Sequence, residues 1–412
     1  MSTQQPISIE SRASWVVACA ALGMLTFSYG GPLVAVVALK PMAAELGVPR
    51  SVPALAFSLA WLGTGIGGII MGRLADRTGL RPIVMFGSVM VASGLAVSSL
   101  GGVWHLYVGQ GLLMGLLGNS CLFAPLVVYV SRWFDRRRGS ALALISSGQY
   151  IAGIIWPSLF ERGIASVGYR ETMFLFGLLQ VAVVLPAALI FLRAAPEPLS
   201  APPSGHALAP GRSLASIGLS KRAAFAVLAA APFFCCVPMA IPNGHLVAFC
   251  SDLGIPASHG AAMLSVMLAC AFLSRQFWGW FADRFGGLRS LLVGSGCQAL
   301  ALAAFLLTQD EVGLFAVAGA YGLGFAGLIP AYVLTVRELF PASEASWRVP
   351  VILFSGMGGM AFGAWLAGAI YDYFGFYAPA FATGILFNLI NFALIGALVL
   401  RSHSGRLRPA MA

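Results

Sequence analysis

Long apolar runs divide the sequence, and each of them is long enough to cross a lipid bilayer. An α-helix rises about 1.5 Å per residue, so about 20 apolar residues span a hydrocarbon core about 30 Å thick. Only 9% of the residues are charged, against about 25% in a soluble globular domain. The pattern predicts an all-α membrane protein with twelve transmembrane helices. The runs cover residues 14–39, 53–72, 82–101, 104–130, 140–160, 172–192, 223–250, 258–281, 288–307, 312–336, 349–371 and 376–400.

The basic residues predict how these spans are oriented. With the N-terminus in the cytoplasm, nineteen of the 24 Lys and Arg residues fall on cytoplasmic segments. Lys40, Arg50, Arg162 and Arg170 fall outside, and Arg275 falls within the membrane. Positive charge is enriched on cytoplasmic loops of membrane proteins, so we predict a multi-pass protein of the cell inner membrane with both termini cytoplasmic. Because the charges are spread between spans rather than gathered on one face, no nucleic-acid partner is expected.

The sequence also repeats itself at half its length. The segment GRLADRTG at 72–79 returns as GWFADRFG at 279–286, and the RWF triplet at 132–134 is echoed by ELF at 338–340. Two matches at nearly one offset indicate a duplicated unit, so two pseudo-symmetric six-helix bundles are predicted. The Pro-, Ala-, Ser- and Gly-rich stretch between them is typical of a flexible linker. The predicted division is an N-terminal bundle at 1–193, a cytoplasmic linker at 194–222, a C-terminal bundle at 223–402 and a cytoplasmic tail at 403–412.

Arg275 is the fixed charge inside a span. It precedes Asp283 by eight residues, which places it about 12 Å below the loop and near the bilayer centre. A charge at that depth costs several kcal/mol and usually serves a function. Its counterpart in the first half is Gly68, and no carboxylate is evident at the same depth. A guanidinium group binds carboxylates in a bidentate manner, so we predict a substrate contact, with snorkelling or bonding to backbone carbonyls as the alternative.

Proline positions also match between the halves. Pro32 corresponds to Pro238 at nearly the same offset. Paired Gly and Pro interruptions free backbone groups that a cavity or a packed neighbour must satisfy, and they point to a transport site. A kink that serves packing alone is the alternative.

The repeated loop gives the first family resemblance. The segment GRLADRTGLRP at 72–82 resembles the loop signature between helices 2 and 3 of the major facilitator superfamily, and the second copy stands where that family repeats it. The resemblance implies that a charge network on these loops holds the halves together in one state and breaks during transport. Loop charges that only set topology are the alternative. The gating residues implied are Asp76, Arg77, Arg81, Asp283 and Arg284.

Within the superfamily the chain resembles the monocarboxylate and oxalate/formate branch. Arg275 matches the helix 8 arginine that holds a substrate carboxylate there, and IPNGHLVAF at 241–249 and VALKPMAAELG at 37–47 are similar to that branch. The chain departs from animal monocarboxylate carriers at two positions. Those carriers have an acidic residue one turn before the arginine, where this chain has Ala271. They also have a lysine inside helix 1, whereas Lys40 of this chain lies near the outer end of that helix. The span 349–371 lacks the second cation of the oxalate exchanger. A single buried cation suits a substrate with one carboxylate better than a substrate with two.

Further polar or aromatic residues are weaker candidates. Tyr29, Asn119, Tyr150, His245 and Tyr321 lie on helices that line the pathway in this superfamily, and His245 could carry a coupled proton. For each of them, a hydrogen bond between helices is the alternative. The last candidate is Trp278, which shares a helix face with the central arginine.

These observations predict a secondary active transporter that moves a small organic anion, in the first place a monocarboxylate, by alternating access. Its expected partners are this substrate and the lipid bilayer, and a monomer is expected. Proton coupling, exchange and facilitated diffusion all stay open. Uptake of a neutral or ring-bearing metabolite such as a vitamin is the first alternative.

Drug efflux is a second alternative, which is disfavoured because Trp156 stands where the antiporter signature of helix 5 has glycine. An enzyme or a sensor finds no support, since the sequence has no metal-ligand cluster and no phosphate loop. No catalytic residue, metal or cofactor is therefore predicted.

Overall fold

The computed structural model describes residues 10–134, 137–193 and 220–407, and every regular element within these ranges is a helix. Eleven continuous helical stretches are long and apolar enough to cross a membrane. The stretch Ser140–Phe191 turns at Gly168, where φ is 87°, so it supplies two spans. The twelve predicted spans are confirmed. They are α1 (Arg12–Val37), α2 (Ser51–Thr78), α3 (Leu80–Ser99), α4 (Val103–Ser131), α5 (140–167), α6 (169–191), α7 (Lys221–Asp252), α8 (Ala257–Phe285), α9 (Gly287–Leu307), α10 (Glu311–Leu339), α11 (Ala342–Phe374) and α12 (Ala378–Leu407).

Several helices run beyond the apolar runs that predict them. The second span ends at Thr78 and the eighth at Phe285, because helical hydrogen bonds continue past the lipid into the loop. α7 begins at Lys221, inside the predicted linker, and α12 runs to Leu407, inside the predicted tail. The rest of the linker, 194–219, lies outside the described residues, so its flexibility stays a prediction.

The two copies of the repeated loop have the same backbone. Gly79 ends α2 with φ 87° and ψ 159°, and Gly286 ends α8 with φ 85° and ψ 162°. This region of backbone space is essentially restricted to glycine, because a Cβ atom would clash there. The shared geometry agrees with the duplication that the sequence repeat predicts.

The halves meet along two helix pairs, α2 with α11 and α5 with α8. In the first pair, the Ser58 hydroxyl donates to the Ala361 carbonyl at 2.6 Å. In the second, Leu268 packs so closely on Gly153 that a Cβ atom on the glycine would lie 1.9 Å from it. Apolar side chains such as Leu300 are exposed on the outside, as expected for a surface in contact with lipid. The interior between the halves is therefore where a polar site has to be sought.

Candidate functional site

A cavity lies between the two halves, with a volume of about 80 Å³. It receives side chains from α1, α2 and α5 of the first half and from α7, α8, α10 and α11 of the second. Pro32 lines it, as the proline pairing predicts, whereas Pro238 does not, although its neighbour Met239 does. Aromatic rings form much of the wall. They belong to Tyr29, Phe57, Trp61, Tyr150 and Phe325.

Arg275 lies beside this cavity. Its guanidinium carbon is 5.4 Å from the centre of the Tyr150 ring, across the interface between α8 and α5. Tyr29 lines the same cavity as Tyr150. The structure therefore brings together three of the predicted site residues, two of them from the first half and one from the second. Such a cation over an aromatic ring is stabilised by the ring quadrupole.

No carboxylate of the described residues forms an ion pair with Arg275. Its side chain is half-buried, and it forms no hydrogen bond or ion pair with another described residue. It packs on a tyrosine of the opposite half. A half-buried guanidinium with five free donors is an anion-binding group.

Three polar side chains add to the cavity wall. Gln149 and Asn243 line it, and the Asn243 amide donates to the Met239 carbonyl of its own helix at 2.7 Å. The indole nitrogen of Trp61 is buried and has no hydrogen-bond partner among the described residues. The sequence does not mark Trp61 as a site residue, because a tryptophan in an apolar run has no local signature.

Asn119 and His245 do not line the cavity. The Asn119 side chain accepts a hydrogen bond from the Ser28 hydroxyl at 2.7 Å and so ties α4 to α1. His245 is 1% exposed. Its Nε2 lies 2.8 Å from the Ala364 carbonyl, which can only accept, so Nε2 carries the proton. Its Nδ1 then accepts from the Tyr377 hydroxyl at 3.0 Å. For both residues the geometry favours the alternative, a hydrogen bond between helices.

Trp278 and Tyr321 are also held within the second half. The Trp278 indole donates to the Leu323 carbonyl at 2.7 Å. The Tyr321 hydroxyl donates to the Pro238 carbonyl at 3.2 Å. That carbonyl lacks its usual helical partner because Pro242, four residues later, has no N–H group. Tyr321 thus satisfies a backbone group freed by a proline, which explains a buried tyrosine without any substrate.

The predicted gating residues form no ion pair between the halves in the part of the chain that the structure describes. Asp76 pairs with Arg132 of its own half at 2.9 Å. The Arg81 guanidinium donates to the Leu189 carbonyl, which also belongs to the first half. No hydrogen bond or ion pair joins the side chain of Arg77, Asp283 or Arg284 to another described residue. In the second half, Glu338 accepts from the N–H of Gly287 at the start of α9 instead.

We call the side of the molecule that carries the loops 79–81 and 286–288 the motif face, and the opposite side, which carries 46–51, the Arg50 face. Towards the motif face the halves separate. A Cβ atom added to Gly65 would touch Met357 of the other half, but one added to Gly72 would meet nothing within 4 Å. Towards the Arg50 face they are tightly packed, since a Cβ atom on Gly368 would lie 2.9 Å from the Cα atom of Ser51. The halves are therefore packed more closely at the Arg50 face, and the motif face is where we expect the cleft between them to open.

Ion pairs close the Arg50 face. The Arg50 guanidinium makes two hydrogen bonds to the Asp252 carboxylate, one of them 2.7 Å long, and Lys40 lies 3.0 Å from the same carboxylate. The Asp372 carboxylate accepts from the backbone N–H groups of Arg50 and Ser51 at 2.7 and 2.8 Å. These contacts join the first half to the second.

Tyr377 belongs to the same group of contacts around Arg50. Arg50 donates to its hydroxyl at 3.2 Å, and that hydroxyl donates to His245. Burial raises the pKa of Tyr377, so the hydroxyl stays protonated and remains a donor. We define the Arg50 cluster as Lys40, Arg50, Asp252, Asp372 and Tyr377. The cluster is not among the predicted site residues. The signal for it in the sequence is that basic residues lie at the outer span ends of the first half and acidic residues at the outer span ends of the second.

Comparisons with known proteins agree with this architecture. The model of the Major Facilitator Superfamily matches residues 16–346 and 240–411. Monocarboxylate transporter 11 of Mus musculus is 32% identical over 333 residues, which cover 77% of this chain and 72% of that one. The MFS-type transporter pynF of Aspergillus niger is 26% identical over 322 residues, which cover 76% and 72%.

A solved structure shares the fold. The crystal structure of a mutant of the nucleoside transporter NupG has a TM-score of 0.73 with 15% sequence identity, and the alignment covers 94% of this chain and 100% of that one. The family match extends over both halves, which carry the repeated loop and the twelve spans. The chain belongs to the Major Facilitator Superfamily, as a membrane transporter near the monocarboxylate branch.

Proposed function

We propose that the protein is a secondary active transporter of a small organic anion, in the first place a monocarboxylate, and that Arg275 binds the carboxylate. The observation that carries this proposal is the half-buried guanidinium between the halves, which no described protein carboxylate neutralises. A bound carboxylate would complete a bidentate pair whose charge-assisted hydrogen bonds each contribute about 1.5–3 kcal/mol. The name of the mouse relative, a monocarboxylate transporter, supports the same class of substrate.

Transport would proceed by alternating access. In the described conformation we expect the cleft to open to the motif face, and the Arg50 cluster closes the other side. For the site to reach the Arg50 face, the bonds between Arg50 and Asp252 have to break, and the loops at the motif face have to meet. The distribution of Lys and Arg supports a cytoplasmic motif face, with both termini cytoplasmic, in the cell inner membrane. One chain supplies both walls of the cavity, which is consistent with a monomer.

Proton coupling, if present, would involve Arg275 and the bound anion. His245 is a poor carrier because both of its ring nitrogens are engaged with Tyr377 and Ala364, away from the cavity. If the carboxylate and a proton bind and are released together, the guanidinium keeps its positive charge throughout the transport cycle. Uptake that is driven by an imposed pH gradient, at zero membrane potential, would identify this mode.

Removing the guanidinium tests the proposal. In proteoliposomes we expect Arg275→Ala to abolish saturable uptake of the carboxylate, and Arg275→Lys to raise KM by about 10-fold or more, because a lysine keeps the charge but loses the bidentate geometry. The matched control is Arg162→Ala, which removes an exposed arginine outside the cavity. Saturable carboxylate uptake by Arg275→Ala at the rate of the unaltered protein would overturn the assignment.

The same preparation separates the alternatives. Competition by carboxylates, but not by amides or alcohols of the same shape, supports an anion transporter. Equal competition by the uncharged analogues supports transport of a neutral metabolite. Loading the vesicles on either side of the membrane distinguishes uptake from efflux.

A further inference from the structure

Five of the twelve side chains that line the cavity beside Arg275 are aromatic. Tyr29 and Trp61 have ring centres 6.4 Å apart, and Phe57 packs edge-on to Trp61 at 6.3 Å. Tyr150 and Phe325 line the same space. Aromatic rings prefer offset or edge-to-face contacts with ring centres about 4.5–7 Å apart, and a further ring inserted here would find such partners.

The cation lies at one edge of this space rather than at its centre. Leu268 lines the cavity, and Arg275 follows it by seven residues on the same helix, about 10 Å closer to the motif face. Arg275 is not itself part of the cavity wall, but it stacks on Tyr150, which is. An anion on this guanidinium is therefore at the mouth of the cavity, with the aromatic wall beyond it.

Size then distinguishes between substrates. A two- or three-carbon acid bound at Arg275 would leave the aromatic wall in contact with water, so it would gain nothing from that wall. A longer acid with an apolar body would place its body among the rings and its carboxylate on the guanidinium. A flat body fits best, because the available partners are ring faces and edges.

We propose that the substrate is an aryl monocarboxylate, in which a flat ring occupies the space between Tyr29, Phe57, Trp61 and Tyr150 and a short chain carries the carboxylate to Arg275. This inference rests on the proposed function and narrows it from any small organic anion to one chemical class. It makes Trp61 and Phe57 the residues that determine specificity, whereas Arg275 determines only charge.

The test is a competition and uptake panel with the full-length protein in proteoliposomes. The probes are phenylacetate, 3-phenylpropanoate, cyclohexylacetate, octanoate, lactate, acetate and the uncharged 2-phenylethanol. We expect phenylacetate or 3-phenylpropanoate to have a kcat/KM at least 10-fold above that of acetate and lactate. Their kcat/KM should also exceed that of octanoate, which is linear, and that of cyclohexylacetate, whose ring is puckered. Trp61→Leu should raise KM for the aryl acid by about 10-fold. The matched control, Phe277→Leu, removes an exposed aromatic side chain from α8 and should leave KM unchanged.

The outcomes of this panel distinguish failure of this inference from failure of the proposed function. Acetate or lactate transport that equals or exceeds aryl acid transport would overturn this inference while leaving the anion transporter intact. Equal competition by 2-phenylethanol and phenylacetate would overturn the proposed function, because charge would then not matter. If Trp61→Leu fails to fold, Phe57→Leu in α2 replaces it, and an unchanged preference for aryl acids in that variant would also overturn the inference. Tm shifts on adding each probe confirm that a variant is folded.

Discussion

Tyr321 and Tyr150 are both buried tyrosines of spanning helices, yet their surroundings give them different roles. Tyr150 lies at the interface of the halves, where it lines the cavity and supports the Arg275 guanidinium. Tyr321 lies within the second half, where its hydroxyl donates to the Pro238 carbonyl and accepts from the Gln298 amide at 3.2 Å. One tyrosine therefore faces the cavity and the other satisfies backbone and side-chain groups.

Substituting Tyr321 with phenylalanine should affect stability and not binding. The change leaves the Pro238 carbonyl without this partner and removes one of the hydrogen bonds of the Gln298 amide, which still donates to the Cys235 carbonyl. An unsatisfied buried group costs about 1–3 kcal/mol. We expect a lower Tm for Tyr321→Phe in detergent and a substrate KM within about twofold of the unaltered protein. The control is Tyr373→Phe, since Tyr373 is 84% exposed. A large change in KM with an unchanged Tm would contradict this role and return Tyr321 to the substrate site.

At the scale of elements, the two repeated loops depend on a glycine that ends the preceding helix. Gly79 and Gly286 have nearly identical backbone angles in a region that other residues avoid. Each turn fixes where the next helix starts, so the angle between α2 and α3, and that between α8 and α9, is set by one residue. The other glycine of each motif copy, Gly72 or Gly279, lies within a helix and has open space around it.

This contrast gives a matched pair in each half. Gly79→Ala and Gly286→Ala should each destabilise the protein by about 1–3 kcal/mol, because alanine is strained at these backbone angles. Gly72→Ala and Gly279→Ala should be neutral or stabilising, since alanine is favoured over glycine inside a helix by about 1 kcal/mol. Thermal unfolding of the four variants, followed by tryptophan fluorescence, measures the difference. Equal loss of Tm within a pair would show that the turn geometry is not what the motif glycine provides.

At the scale of the whole molecule, the contacts between the halves are asymmetric. The Arg50 cluster joins them on one face through a bidentate ion pair, two backbone contacts to Asp372 and the Tyr377 hydroxyl. On the motif face, Asp76 is paired with Arg132 inside its own half. In the alternating-access cycle that we propose, the Arg50 cluster would be intact in one open state and broken in the other. It would then contribute to the free-energy difference between the two states.

Neutralising Asp252 should shift this balance. Asp252→Asn weakens the hydrogen bonds from Arg50 and Lys40, and losing about 1.5–3 kcal/mol shifts a two-state population by about 10- to 100-fold. Spin labels at the exposed positions Ala44 and Ser258, in a cysteine-free background, should report a longer distance on the Arg50 face. Glu161→Gln is the control, because that carboxylate has no ion pair among the described residues. An unchanged distance distribution in Asp252→Asn would show that apolar packing, not the Arg50 cluster, keeps this face closed.

Much of the architecture followed from local sequence. The twelve spans are confirmed, and so is the resemblance to the Major Facilitator Superfamily. The site was only partly predictable: Tyr29, Tyr150 and Arg275 come together, whereas Asn119, His245, Trp278 and Tyr321 bond to neighbouring helices. A polar residue in a span has the same appearance in sequence whether it faces a cavity or a neighbouring carbonyl, so sequence could not separate these two groups.

The sequence by itself determined the number of spans, the duplication and the presence of a charge at membrane depth. The physical reason is that the cost of placing a residue in lipid depends on that residue and its near neighbours along the chain. Only the tertiary structure decided which groups that charge meets, and which face of the molecule is closed. Arg50 and Asp252 are 202 residues apart, and Arg50 and Asp372 are 322 apart. Their pairing depends on how two six-helix bundles pack against each other, and no local pattern records that packing.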